Sequence, residues 1–280
     1  MLFNAEVSEQ LKSSISSNLI APTFDLEQNF KIMNYLITGA GSGIGRAIAM
    51  ELAKQDNNCY LLGRNENNLK NTLSLLKEGA HKILLADITD PSSLKAIIDD
   101  NIDLVLDGII ANAGIGGENN FGEADRWNEI INTNLTGTYL TVQYFLEALQ
   151  TSESQTKHII ITSSILARLG VKNYSAYCAS KAGLLGLMRS WAVEYAAENI
   201  LVNAICPGWV NTDMAQQGLE GIAKDIGITK SEFFDIAMQS VPLRKMSEPE
   251  EIAALVYYLV KQTSITGQTI DINCGAIMNS

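Results

Sequence analysis

The chain has 280 residues, 46% of them apolar, and its 31 acidic and 20 basic side chains give a formal net charge of −11. That length and apolar share can fill one sizeable core. The negative charge, with no run of five or more Lys/Arg, excludes nucleic acid and an anionic membrane surface as partners, and no apolar run approaches the ~18 residues that suggest a membrane-spanning helix.

The first 30 residues are rich in Ser, Asn and Gln. Phe3, Val7, Leu11, Ile15 and Leu19 repeat every four residues, which is one helical stripe. Glu6 and Glu9 and the short apolar runs do not fit a secretory signal. Two readings stay open for residues 1–30: a loose tail, or an arm that packs on a core or a neighbouring subunit.

From residue 31 a regular alternation begins. "KIMNYLIT" reads as a buried strand ending at Thr38, and "GIGRAIAMELAKQ" as a helix with Ile44, Ile48 and Leu52 on one face. "CYLLG" is a second strand and "NENNLKNTLSLLKE" a second helix. "KILLAD" is a third strand, followed by "PSSLKAIIDD", a helix with proline in its first turn. "DGIIANAG" gives a fourth strand and its loop, 123–149 a long helix, "KHIIITSS" a fifth strand and 174–197 another long helix. "ILVNAICPG" is a sixth strand, 249–261 a helix and "QTIDIN" the last strand; 212–247 reads as the one long irregular stretch. Apolar strands alternating with helices predict an α/β fold: a single, doubly wound, Rossmann-like domain over 31–280 with a parallel sheet covered on both faces.

The four cysteines, Cys59, Cys178, Cys206 and Cys274, have no zinc or CxxC spacing, which predicts reduced thiols in a cytoplasmic protein and no metal site. His81 and His158 both stand at strand starts and are read as structural, which removes histidine base chemistry and zinc hydrolysis. No Gly-x-Ser-x-Gly elbow precedes a helix, so α/β-hydrolase chemistry is disfavoured.

"TGAGSGIG", Thr38 to Gly45, joins the first strand to the first helix. Glycines at 39, 43 and 45 permit a sharp turn and close approach to a phosphate at a helix N-terminus. Its spacing is Gly-x-x-x-Gly-x-Gly rather than GxGxxG. The second strand ends "LLGRN": Gly63 occupies the place of the acid that would bind a ribose 2′-hydroxyl, and Arg64 follows. A planar guanidinium suits a 2′-phosphate, so NADP is the expected cofactor and NAD the alternative; Ser42 in the loop adds no charge of its own.

Tyr177 and Lys181 in "NYSAYCASKAG" lie on one helix face at i and i+4. An ammonium beside a phenol favours the phenolate and is expected to lower the tyrosine pKa toward neutrality. Ser164, thirteen residues upstream, ends the fifth strand, where a parallel sheet forms its ligand crevice, and Ser163 should point away from it.

Over residues 32–277 these motifs resemble the short-chain dehydrogenase/reductase family. "TGAGSGIG" is similar to its cofactor loop, with Gly39, Ser42, Gly43, Ile44 and Gly45. "NAG" (Asn112, Ala113, Gly114) looks like its motif after strand four, and "NLTG" carries Asn134. Asp87 and Ile88 in "LLADIT" stand where the family contacts adenine, and "PGWVNTDM" (Pro207, Gly208, Val210, Thr212) is similar to the segment lining the nicotinamide.

The resemblance implies a catalytic set of Asn134, Ser164, Tyr177 and Lys181. In it Tyr177 is the acid/base, Lys181 lowers its pKa and binds the nicotinamide ribose, Ser164 polarises the substrate oxygen, and Asn134 holds a relay water. It implies hydride transfer between NADP(H) or NAD(H) and a small carbonyl or alcohol, in a homotetramer or dimer. The apolar residues of 212–247 (Met214, Leu219, Ile222, Ile226, Phe233, Phe234, Ile236, Met238) suit a flexible substrate lid. That segment looks most like 3-oxoacyl-thioester and polyketide ketoreductases. A secondary alcohol, sugar or steroid dehydrogenase is the alternative, and a non-catalytic nucleotide sensor on the same fold the alternative of another class. The chain departs from the family at "INCGA", where "DGG" is usual, and in a short "VKQTSITGQ", both of which bear on substrate fit.

Overall fold

The computed structural model describes residues 31–278; both readings of residues 1–30 lie outside the described residues. Seven parallel strands form one sheet in the order β3-β2-β1-β4-β5-β6-β7. They are β1 (Asn34–Thr38), β2 (Asn58–Gly63), β3 (Lys82–Leu85), β4 (Gly108–Ala111), β5 (Lys157–Thr162), β6 (Ile200–Pro207) and β7 (Thr269–Ile272). Ile37 in β1 stands opposite Leu61 on one side and Ile110 on the other. The order reverses between β1 and β4, and in an open α/β sheet that reversal opens a crevice at the strand C-termini.

Alternating strand residues supply two cores, as the pleat requires. One face buries Leu36, Ile109, Ile159 and Val202 against α3 (Pro91–Asp100), α5 (Gly137–Gln150) and α6 (Ser175–Glu194), through Leu94, Phe145 and Trp191. The other buries Tyr35, Ile37, Ile110 and Ile205 against α1 (Gly43–Lys54), α2 (Glu66–Leu73) and α9 (Pro249–Val260), through Ile48, Leu69 and Val256. Leu185, Met188 and Trp191 are core residues at 7%, 1% and 3% exposure.

Three segments differ from the pattern reading. The second helix ends at Leu73 rather than continuing to 78. The long helix expected over 123–149 starts at Trp127 as α4 (Trp127–Ile131) and joins α5 through a π-helical turn, Asn132–Thr136. The stretch expected to be irregular, 212–247, holds two helices, α7 (Asp213–Ile226) and α8 (Lys230–Gln239). Local capping explains these last two helices: Thr212 Oγ1 accepts from Ala215 N, Gly227 ends α7 at φ 75°, and Thr229 and Glu232 form a reciprocal capping box on α8. Leu219, Met238, Val241 and Met246 pack these helices into a third, small core.

Candidate active site

A cleft of about 1020 Å³ runs along the C-terminal ends of the strands. At one end it is built on glycine. Gly39 and Gly43 sit at φ 66° and 50°, backbone that disfavours a side chain. A Cβ on Gly39 would lie 2.9 Å from Ala113 Cα, and one on Gly45 only 2.3 Å from the Gly39 carbonyl oxygen. Thr38 ties the loop to β4: its Oγ1 accepts from the amides of Asn112 and Ala113 at 3.0 and 2.9 Å. Asn112 Nδ2 returns a bond to Thr38 O at 3.2 Å. The start of α1, where Ser42 makes no side-chain cap, presents helix N–H groups to the cleft. Such a cradle fits a pyrophosphate.

Arg64 and Asp87 flank this end. The Arg64 guanidinium lies 3.5 Å from Asp87 Oδ2, and Arg64 is largely exposed. Asp87 Oδ1 also accepts from Thr89 N and Oγ1 at 2.9 and 2.8 Å. Partial burial pulls the Asp87 carboxyl up, but these hydrogen bonds and the arginine charge outweigh it and hold it below its ordinary value.

The remaining site residues converge further along. Ser164, Tyr177 and Lys181 line the cleft together with Ile44, Ile88, Gly114, Pro207, Gly208, Val210 and Thr212. Ser164 caps a short 3-10 turn, accepting from Leu166 N at 3.1 Å, and its hydroxyl stands near enough to Tyr177 to favour the phenolate. Ser163, expected to point away, also lines the cleft, and its hydroxyl donates to Lys181 O at 2.8 Å. Lys181 Nζ donates to Thr162 O at 3.0 Å and stands 5.6 Å from the centre of the Tyr177 ring.

Two predicted residues, Gly45 and Asn134, do not line the cleft but lie behind it. Asn134 is fully buried. Its Oδ1 accepts from Ile115 N at 2.8 Å, while Nδ2 donates to Ile115 O at 3.0 Å and Ser180 Oγ at 3.1 Å. Its amide is engaged in holding the 115 loop.

The expected effect of Lys181 on the tyrosine is corrected. Burial pushes the Tyr177 phenol up to about 12, and the Ser164 hydrogen bond offsets only part of that. Burial also lowers the Lys181 ammonium to about 8. Desolvation dominates at both groups, so the phenol is not brought toward neutrality in this cleft.

Sequence reasoning missed the opposite wall. Arg126 Nη1 donates to Gly116 O at 3.1 Å, and its Nε to Glu129 Oε2 at 2.7 Å. Tyr174 meets Tyr177 edge-on at 6.5 Å. Glu118, Asp213 and Asp225 also line the cleft there. Gly218 and Gly221 of α7 line it with nothing within 4 Å of a would-be Cβ. No short motif marks these residues; only the fold gathers them. His81 and His158 play no part: neither lines the cleft. Among the described residues no group of three or more His, Cys, Asp or Glu could hold a metal ion.

Comparison with known proteins agrees with this geometry. A family model described as enoyl-(acyl carrier protein) reductase matches residues 39–276. Ketoacyl reductase 1 of the granaticin polyketide synthase of Streptomyces violaceoruber is 34% identical over 252 residues, covering 87% of this chain and 92% of the relative. The 3-oxoacyl-(acyl-carrier-protein) reductase FabG of Salmonella typhimurium is 32% identical over 251 residues, covering 87% and 96%. A solved structure of an actinorhodin polyketide ketoreductase variant with NADPH superimposes with a TM-score of 0.82 at 31% identity, covering 88% of this chain and 97% of that one. The glycine cradle, the converging Ser164, Tyr177 and Lys181, and these matches lead to one conclusion: the chain belongs to the short-chain dehydrogenase/reductase family.

Proposed function

We propose that this protein is an NADPH-dependent ketoreductase acting on 3-oxoacyl thioesters or related polyketide carbonyls. The observation that carries the reading is the placing of Ser164, Tyr177 and Lys181 in the same cleft as the glycine cradle. The residues that would hold the cofactor are Gly39, Ser42, Gly43, Ile44, Arg64, Asp87, Ile88, Asn112, Ala113, Gly114, Pro207, Gly208, Val210 and Thr212, with Tyr177 and Lys181 at the reactive end. When bound, the nicotinamide supplies or accepts the hydride.

The chain's own residues do the proton work. Ser164 orients the carbonyl oxygen against the Tyr177 phenol. Tyr177, whose phenol pKa is held above its ordinary value, donates from Oη to that oxygen as the alcohol forms. Lys181, still charged at neutral pH, faces the phenolate left behind.

Arg64 supports NADPH over NADH, because a guanidinium can exchange Asp87 for a 2′-phosphate. Four free thiols suit a reducing compartment, and we place the protein in the cytoplasm. No described helix is long and apolar enough to cross a membrane. Exposed Trp127, Tyr139 and Val193 on the α4–α6 faces support self-association as a dimer or tetramer.

The family model's description favours one second reading, reduction of a carbon–carbon double bond. Both readings are tested by a panel of 3-oxoacyl thioesters, 2-enoyl thioesters, cyclic ketones and secondary alcohols with NADPH and NADH, followed by nicotinamide absorbance. Turnover of 3-oxo but not 2-enoyl substrates is expected; the reverse would replace the proposal. Arg64→Ala should weaken NADPH binding about 10- to 100-fold and leave NADH binding nearly unchanged; equal losses would withdraw the cofactor preference.

A further inference from the structure

The helix that carries Tyr177 and Lys181 begins without a cap of its own. Tyr174, at the boundary of α6, makes no side-chain capping bond. Ala176, two residues on, is fully buried, so its N–H cannot turn to water. The missing acceptor comes from a distant loop. Asn119 Oδ1 accepts from Ala176 N at 2.8 Å and from Ser175 Oγ at 3.1 Å. The Asn119 amide donates to Asn173 O at 2.7 Å, where Asn173 is held at φ 64°. Asn119 Nδ2 donates to Asp125 Oδ1 at 3.3 Å, which also takes Trp127 N at 3.0 Å.

The other end of this loop is fixed by the two bonds between Asn134 and Ile115. Residues 115–119 are therefore strung between Asn134 and the first turn of α6. The last link ends one residue from Tyr177.

We propose that Asn119 is a positioning residue for the reaction: by capping α6 from outside the helix, it fixes where the Tyr177 phenol stands over Ser164. The consequence for turnover rests on the ketoreductase reading; the cap itself does not. Loss of a capping acceptor lets a first turn open about five times more readily. A displacement of about 1 Å at a reacting group costs about a hundredfold in rate. Tyr177 sits in that first turn.

The test compares wild type, Asn119→Ala and the exchanged pair Asn119→Asp with Asp125→Asn. The pair keeps an acceptor for Ala176 and restores the amide–carboxylate contact in reverse. Tyr177→Phe serves as the inactive control. Amide exchange over 174–181, NADPH affinity, kcat and KM are measured on the best carbonyl of the panel. Asn119→Ala is expected to speed exchange at the start of α6 about fivefold and to lower kcat about 10- to 100-fold. NADPH affinity and KM should hold within about twofold, and the exchanged pair should recover most of kcat. Normal kcat in Asn119→Ala while Tyr177→Phe is inactive overturns the proposal. So does an exchanged pair that restores exchange protection but not turnover, or an Asn119→Ala protein with unchanged exchange. Should wild type turn over nothing on the panel, the ketoreductase reading fails, and the amide exchange alone decides whether Asn119 caps the helix.

Discussion

Tyr177 and Lys181 divide the labour in a way that neither residue type suggests alone. The phenol, half-buried in the cleft wall, holds its proton more firmly than a tyrosine in water; the ammonium is buried and holds its proton less firmly than in water. Tyr177→Phe should abolish carbonyl reduction while leaving NADPH affinity within about twofold, since the ring still packs and only the proton is lost; retained turnover would mean that another group is the acid.

Lys181 also makes a pH-dependent contribution to stability. Its folded value of about 8 lies below the ~10.4 of an exposed lysine. Below pH 8 both states carry the proton and the cost of burying the charge is fully present. Between about 8 and about 10.4 only the unfolded state keeps the proton, so this contribution to stability rises with pH. In cofactor-free protein, the stability of Lys181→Met relative to wild type should therefore be highest below pH 8 and decline to its limiting value by about pH 10.5. Denaturant titrations across that range check it; a difference independent of pH would show that Lys181 is not desolvated.

At the scale of elements, the sequence was legible wherever period and punctuation agreed. Strands such as β5, with Ile159 and Ile161 to one core and Ile160 to the other, read directly from their apolar runs. The positions of Ser164, Tyr177 and Lys181 followed from strand ends and helix spacing. What did not read was anything set by capping in a weakly patterned segment or by contact across the chain. The Thr229–Glu232 box was present in the letters of 212–247, yet the abundance of glycine and the mixed polarity made that stretch look irregular. Arg126 and Asn119 carry no motif, because each is placed by contacts that include a backbone group brought near by the fold, Gly116 O for Arg126 and Ala176 N for Asn119. The long helix was seen but not its π-helical turn, since a single extra residue leaves the apolar stripe on either side in place.

The α7–α8 pair forms its own small core beside the cleft, and its stability should govern entry of substrate. Thr229→Ala removes the capping acceptor and should cost about 1 kcal/mol locally. The expected result is faster amide exchange over α8 and a raised KM, with kcat preserved. A fall in kcat at unchanged KM would place these helices in the chemistry instead of at the entrance.

For the described molecule as a whole, the sheet brings the glycine cradle after β1 and the proton donor on α6, which follows β5, to one cleft, although Gly39 and Tyr177 stand 138 residues apart in sequence. The wall above that floor has a charge pattern of its own. Glu118, Asp213 and Asp225 face the cleft, while Arg126 is engaged with Glu129. The chain around them carries a net charge of −11. Such a field slows the encounter with an anionic reactant and does nothing to a neutral one. A 3-oxoacyl thioester on coenzyme A or on an acidic carrier would approach uphill, and dissolved salt would level the slope. Raising ionic strength from about 50 mM to about 500 mM should increase kcat/KM several-fold for such a thioester and leave a neutral cyclic ketone unaffected. The opposite trend, with salt suppressing the thioester reaction, would reveal a basic docking surface that outweighs the rim. Selection among carbonyl compounds of similar shape would then begin in solution, by the sign of the handle each one carries, before any of them meets Tyr177.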